Sequence, residues 1–135
     1  MILYYAVGGG LGHLTRGRRV LEALGLDAAF VTASEYAGDP RVTGGIPVID
    51  ARGPWQQETA CDRLIVDTFP CGIQGELSGL DVPMDLVARR LRWEEYRRAV
   101  PAPLPRFDTV YWLEDLEPAH KAALVWSAEA APPRA

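Results

Sequence analysis

Apolar residues along the chain fall into short blocks set apart by polar and glycine-rich stretches, and the blocks alternate between two periods. "MILYYAV", residues 1–7, is an unbroken β-prone run, the pattern of a strand buried on both faces. Gly8, Gly9, Gly10 and Gly12 follow, and from His13 to Leu24 the spacing becomes helical. Leu14, Val20, Leu21 and Leu24 share one stripe with Gly17, while Arg16, Arg18, Arg19 and Glu22 lie on the opposite side. A glycine within the apolar stripe predicts a helix lying close to its sheet, and Gly25 supplies the stop.

The alternation continues downstream. "DAAFVTAS" predicts a second strand, "IPVIDA" a short third, "RLIVDTFP" a fourth with Asp67 at its carboxyl end, and "DTVYWLE" a sixth. "MDLVARRLRW" predicts a fifth strand running into a helical "WEEYRRAV". "WQQETAC" fits a short helix, and "PAHKAALVW" fits a helix or a strand. "EYAGDPRVTGG" and "CGIQGELSGLDVP" read as loops, the second with room for one helical turn, and "PAPLP" is a stiff break. "SAEAAPPRA" reads as a frayed tail, giving one domain over 1–126 and a flexible segment over 127–135. Strands alternating with helices, with no internal repeat, predict a single Rossmann-like α/β domain: a mostly parallel sheet with helices on both faces.

Composition narrows the class. At 135 residues the chain has one domain's length, and 48% hydrophobic against 24% charged residues is ordinary for a globular protein able to bury its own core. A net charge of -4 argues against a nucleic-acid-binding surface. No basic leader precedes an apolar segment, and no apolar run nears the roughly 20 residues that span a bilayer, so a cytoplasmic location is expected. Cys61 and Cys71 are too few for a disulfide scaffold and fit no zinc spacing, so both are expected as reduced, small apolar residues beside the fourth strand.

The glycine loop carries the first candidate chemistry. In a parallel sheet the first strand-to-helix turn aims backbone N–H groups at the crevice where ligands bind, and the helix start adds partial positive charge. One glycine makes a turn; several let the backbone touch a ligand that a Cβ would hold off. The stretch is not a dinucleotide fingerprint, because aligning on Gly8 and Gly10 puts His13 where the third glycine belongs, although Glu35 stands near the place of a ribose-binding acid. Nor is it a P-loop, since no Gly-Lys-Ser/Thr occurs. His13 at the loop exit has two readings, a base or hydrogen-bond donor toward a ligand, or a structural group at the helix start.

"GGGLGHLTR" after a first strand resembles the N-terminal loop of GT-B glycosyltransferases, in particular the MurG-like group and the bacterial predicted glycosyltransferases that open with Gly-Gly-x-Gly-His. Gly9, Gly10, Gly12 and His13 carry that likeness, and "VDTFPCGIQGEL" resembles a second element of those transferases. The resemblance implies an acceptor-binding half domain, with sugar transferred from a nucleotide sugar to a hydroxyl once a donor-binding domain on a second chain completes the enzyme. It also implies His13 as base, the backbone of Gly9, Gly10 and Gly12 around the acceptor or its phosphate, and no cofactor or bound metal. Two other classes stay open: a non-catalytic binding module for a phosphate or sugar, and a nucleotide-cofactor domain.

Further residues join the candidate site, each with a plainer reading beside the functional one. Asp67 binds an acceptor or orients His13, or it caps its loop through backbone N–H groups. Gly72, with Gly75 and Gly79, marks a loop bending past a cleft, and Glu76 is a ligand group or a residue at a helix start. Thr15 satisfies N–H groups of the first turn, and Arg16 meets an anionic acceptor or stays solvated. Arg89, Arg90, Arg92, Arg97 and Arg98 are interspersed with acids, and Glu94 pairs with Arg97 or Arg98 on a solvated face. Trp93, Tyr96, Trp112 and Trp126 are expected as core or partner contacts.

Overall fold

Six strands form one all-parallel sheet in the order β3-β2-β1-β4-β5-β6. They are β1 (Ile2–Tyr5), β2 (Ala28–Thr32), β3 (Val48–Asp50), β4 (Arg63–Asp67), β5 (Met84–Ala88) and β6 (Thr109–Trp112). Five helices accompany them: α1 (Leu11–Leu24), α2 (Pro40–Thr43), α3 (Trp55–Glu58), α4 (Trp93–Ala99) and α5 (Pro118–Ala130). The computed structural model describes residues 1–7, 11–58 and 60–130, without the side chains of 57, 58 and 126–130. The architecture is a single Rossmann-like α/β domain. Among the described residues no helix is long and apolar enough to cross a membrane.

Alternation along β1 divides the core between the two faces of the sheet. Tyr4 and Ala6 join Phe30, Ile65 and Val87 beneath Leu14 and Leu21 of α1, with Val42 of α2 at the edge. Leu3, Tyr5 and Val7 join Val31, Val66 and Leu86 on the other face, under Trp55 of α3 and Leu124 of α5. Covered on both sides, β2 and β5 are buried at every position, including Asp85, which Arg63 meets at 2.9 Å.

Gly17 sets the distance between α1 and the sheet. A Cβ there would sit 2.7 Å from both Phe30 Cε1 and Tyr4 Cε1, far inside contact distance of two buried rings. Those rings meet edge to face at 5.7 Å and have little room to retreat. The close approach read from the sequence is therefore real.

Several local expectations shift. Helix α1 begins at Leu11, two residues ahead of the expected start, and Leu24 is 39% exposed rather than part of the buried stripe. The loop over 35–45 contains a 3-10 turn (Glu35–Gly38) and α2, whose first turn is capped by Asp39 Oδ1 accepting from Arg41 N at 2.9 Å. Asp-Pro is a strong helix start and the left-handed Gly44 a strong stop, so short-range signals overrode the loop composition. Residues 71–80 form turns without a helix. The open choice at "PAHKAALVW" resolves as helix, and α5 continues through the first four residues of the stretch expected as tail. Both cysteines are free, Cys71 buried and Cys61 half-buried. Arg97 does not pair with Glu94: it lies 5.7 Å from the Trp93 ring centroid and donates to Val100 O. Trp93 and Tyr96 are buried and Trp112 is 46% exposed, while the Trp126 side chain lies outside the described residues.

Helix α5 delivers an unexpected group. His120 is fully buried, stacked on Trp93 at 4.3 Å with 8° between planes, and neither ring nitrogen has a hydrogen-bond partner among the described residues. Burial without a partner disfavours the imidazolium and pulls its pKa down to about 4.

Two stability measurements follow. Gly17→Val gains little helix propensity and must displace a buried ring, so chemical denaturation should show a loss of about 2 kcal/mol. His120 holds fewer protons in the folded chain than in the unfolded one. It therefore draws down stability as pH falls from about 6.5 to about 4, by roughly 3 kcal/mol in all. His120→Phe should flatten that part of the stability-against-pH curve; an unchanged slope would show that the ring already has a proton partner.

Candidate functional site

The chain runs outward from β1 through β2 to β3, then returns to β4 on the opposite flank of β1. The carboxyl ends of β1 and β4 therefore border the point where strand order reverses, the place where parallel sheets open a crevice. Helix α1 starts above it, and Asp67 closes β4 beneath it.

Asp67 has no solvent exposure and gathers four side chains. Tyr4 OH donates to Oδ2 at 2.6 Å and Thr68 Oγ1 to Oδ1 at 2.6 Å. Arg16 grips both oxygens, with Nε 3.2 Å from Oδ2 and Nη2 3.1 Å from Oδ1. His13 Nδ1 lies 3.1 Å from Oδ1, close but off the line of a full hydrogen bond. Burial by itself would push the carboxyl pKa up, but the contacts from His13, Arg16, Thr68 and Tyr4 together outweigh it and hold the value down to about 2. The carboxylate is thus charged at neutral pH, and its influence and its burial push the Tyr4 hydroxyl well above the usual phenol range.

Helical geometry explains the meeting. His13, Arg16 and Gly17 lie at i, i+3 and i+4 on the side of α1 that faces the sheet, so the close approach at Gly17 brings the two polar heads over β4. Arg16, expected to point outward, turns in and keeps only 16% of its side chain exposed. The His13 ring stacks on Phe69 at 5.9 Å and 8° and keeps 13% of its side chain open. With Nδ1 turned to a carboxylate, the ring is oriented so that a proton on Nδ1 would leave Nε2 its lone pair. Thr68 is the one non-glycine residue with positive φ among the described residues, at 69°. A β-branched residue there holds local strain of about 1–3 kcal/mol, a device often found beside a working site.

Alongside lies a cleft of about 550 Å³. One wall is α1, from Gly12 through Thr15, Arg16 and Arg19 to Ala23; the other comes from Arg89, Leu113 and Glu114 beyond β5 and β6. A Cβ on Gly12 would meet no protein atom within 4 Å, so packing does not demand glycine there, and the bare backbone stays open to a ligand. Arg89 is held by Glu114 at 3.1 Å, whereas Arg19 has no ion-pair partner among the described residues. Thr15 Oγ1 donates to Leu11 O and Gly12 O, each at 3.3 Å; it does not cap N–H groups as expected.

The structure brings Gly12, His13, Thr15, Arg16 and Asp67 to one end of the sheet, and of the readings open for Asp67 it shows a hub of side-chain contacts. Glu76 and Gly72 belong elsewhere. Glu76 sits in a turn and not at a helix start, accepting from Tyr5 OH at 2.6 Å and Gln74 N at 2.9 Å. Gly72, at φ 80°, leaves room for it: a Cβ would fall 2.2 Å from Glu76 Oε1. Gly9 and Gly10 lie outside the described residues. Tyr4 and Arg89 were missed because their roles depend on strand adjacency that no local pattern encodes, whereas Thr68 stands next to Asp67 and Arg19 on the first helix. Among the described residues no group of three His, Cys, Asp or Glu side chains is placed to hold a metal ion.

Asp67→Asn keeps the shape and removes the charge, leaving Arg16 without its counter-ion. It should cost about 3 kcal/mol or more in thermal or urea unfolding. The native carboxyl pKa is depressed, so this stabilisation is full above about pH 4 and fades as pH falls toward 2. A loss below 1 kcal/mol would mean that Arg16 finds another partner.

Compared with known proteins, the chain matches no family model, no curated protein and no solved structure.

Proposed function

We propose that this domain is the acceptor-binding half of a GT-B-type glycosyltransferase, working with a donor-binding domain outside these 135 residues. The observation that carries the reading is His13 Nδ1 at 3.1 Å from the buried Asp67 carboxylate, at the strand-order reversal, on the helix whose Gly12, Thr15 and Arg16 line a cleft. Asp67 fixes the ring and its tautomer, so Nε2 is the acceptor of a proton from a substrate hydroxyl. As the proton leaves, the hydroxyl oxygen attacks the anomeric carbon of the nucleotide sugar. The glycosidic bond forms, and the nucleoside diphosphate departs with the electrons of the broken C–O bond. Asp67 offsets the imidazolium that results.

Arg16 has a different task from the one first expected. Its bidentate grip on Asp67 uses two of its five N–H donors and offsets its charge, so positioning that carboxylate is its first task. Arg19, with no ion-pair partner among the described residues, and Arg89, shared with Glu114 of the same wall, remain in the cleft to meet an anionic group on the acceptor, with Val20, Ala23 and Leu113 beside them for an apolar portion. The same two cations favour a second reading, a small-anion binding module without chemistry.

Titration calorimetry separates the classes. Sugar phosphates should release or absorb heat on binding, and NAD should not; tight NAD binding with no response to sugars would overturn the proposal. When a donor domain and nucleotide sugar are supplied, His13→Ala should lower transfer by about 10²–10⁴-fold, the usual worth of a general base. Its melting temperature should stay near that of the parent. A large drop in melting temperature with transfer retained would make His13 a structural residue.

A further inference from the structure

A second pocket opens on the other flank of β1, over the carboxyl ends of β1, β2 and β3. It holds about 350 Å³, within the size range of small-ligand sites. Val7, Ala33 and Ala51 lie just past the three strand ends, and the two alanines keep the floor low. Trp55, whose ring stands 5.9 Å from that of Tyr5, provides an aromatic wall.

Glu76 is the charged group of this pocket, and its placement is tightly specified. Tyr5 OH donates to Oε2, Gln74 N donates to Oε1, and the left-handed turn at Gly72 clears the space that the carboxylate fills. Tyr5 OH also accepts from Ile73 N at 3.3 Å, tying the loop to the strand. Each carboxylate oxygen has a second lone-pair site, and no cation lies within ion-pair distance of Glu76 among the described residues. Asp67, by contrast, has Arg16 at 3.1 Å. A half-buried acceptor with spare capacity and no counter-ion calls for a ligand that donates hydrogen bonds.

The rest of the lining selects among donors. Arg52 stands at the rim with its charge offset by Asp50 at 2.9 Å, which leaves Glu76 as the unpaired charge of the lining. The Gln74 side chain supplies both donors and an acceptor. Trp55 is 5% exposed and gives the pocket a narrow apolar strip, so the polar groups carry recognition, and they fit a ring with several hydroxyls.

We propose that this pocket is a subsite for a neutral pyranose unit, with ring hydroxyls donating to Glu76 and the sugar set against the strip of Trp55 that reaches the pocket. This deepens the transferase reading by naming a glycoside as the acceptor class, and rests on it for that role; binding itself is read without any transfer. The test is saturation-transfer NMR on the full chain with the methyl pyranosides of glucose, galactose and N-acetylglucosamine. At least one should bind saturably. Glu76→Gln, which keeps the bond from Tyr5, should weaken it about tenfold or more, the worth of a hydrogen bond to a charged group. Ala33→Leu, at an exposed position, should abolish binding by filling the floor without unfolding the chain. No binding by any glycoside, or equal binding to the parent and to folded Ala33→Leu, overturns the subsite. Binding by the parent with no transfer when a donor domain and nucleotide sugar are supplied leaves the subsite standing and defeats the transferase reading instead.

Discussion

The buried carboxylate of Asp67 is the constraint on which the arrangement of this domain depends. A charge taken wholly out of water is tolerated only when it is paired and hydrogen-bonded, and here the partners come from two segments distant in sequence and from the adjoining turn. Tyr4 comes from the central strand, Arg16 and His13 from the first helix, and Thr68 from the turn after β4. Satisfying one group therefore fixes how helix, central strand and crevice meet. The carboxylate that orders the site is also a large contributor to its cohesion, so its loss cannot be purely functional.

The central strand serves both flanks through the simplest property of a strand. Consecutive residues point to opposite faces, so "YY" in β1 places one phenol on each side of the sheet. Tyr4 OH reaches Asp67 beneath α1, and Tyr5 OH reaches Glu76 on the other face. Both hydroxyls donate to carboxylates at 2.6 Å. A phenol buried in a core needs such a partner, and each tyrosine finds a carboxylate that itself needs a donor. Two pockets on opposite sides of the strand-order reversal are thereby built on adjacent residues.

Much of the architecture was legible in the residues because its causes are local. The β1 run, the helical stripe with Gly17 inside it, and the alternation of strands and helices predict the parallel α/β sheet directly. His13 and Asp67 were legible as candidates because a glycine loop and a strand end are places where chemistry collects. Their partnership was not, since it joins residues 54 positions apart through the β1–β4 contact. Arg16 misled for a related reason: hydrophobicity assigns an arginine to the outer face, and only a buried acid opposite can reverse that. The unpartnered ring of His120 lay on a segment whose periodicity fits helix and strand alike, so its face could not be assigned from the chain alone.

The packing under α1 and the chemistry above it are one problem. Leu14, Gly17 and Leu21 seat the helix, and Gly17 lowers its axis by the width of a missing methyl group. Were the helix to ride higher, the guanidinium of Arg16 could follow on its flexible stem, whereas the short arm of His13 could not. Imidazole and carboxylate would then part first, so the contact on which the proposed proton transfer relies would fail before the ion pair that holds Arg16. The close approach at Gly17 thus sets the His13–Asp67 distance, and a core position with no polar atom governs the geometry of the polar cluster above it.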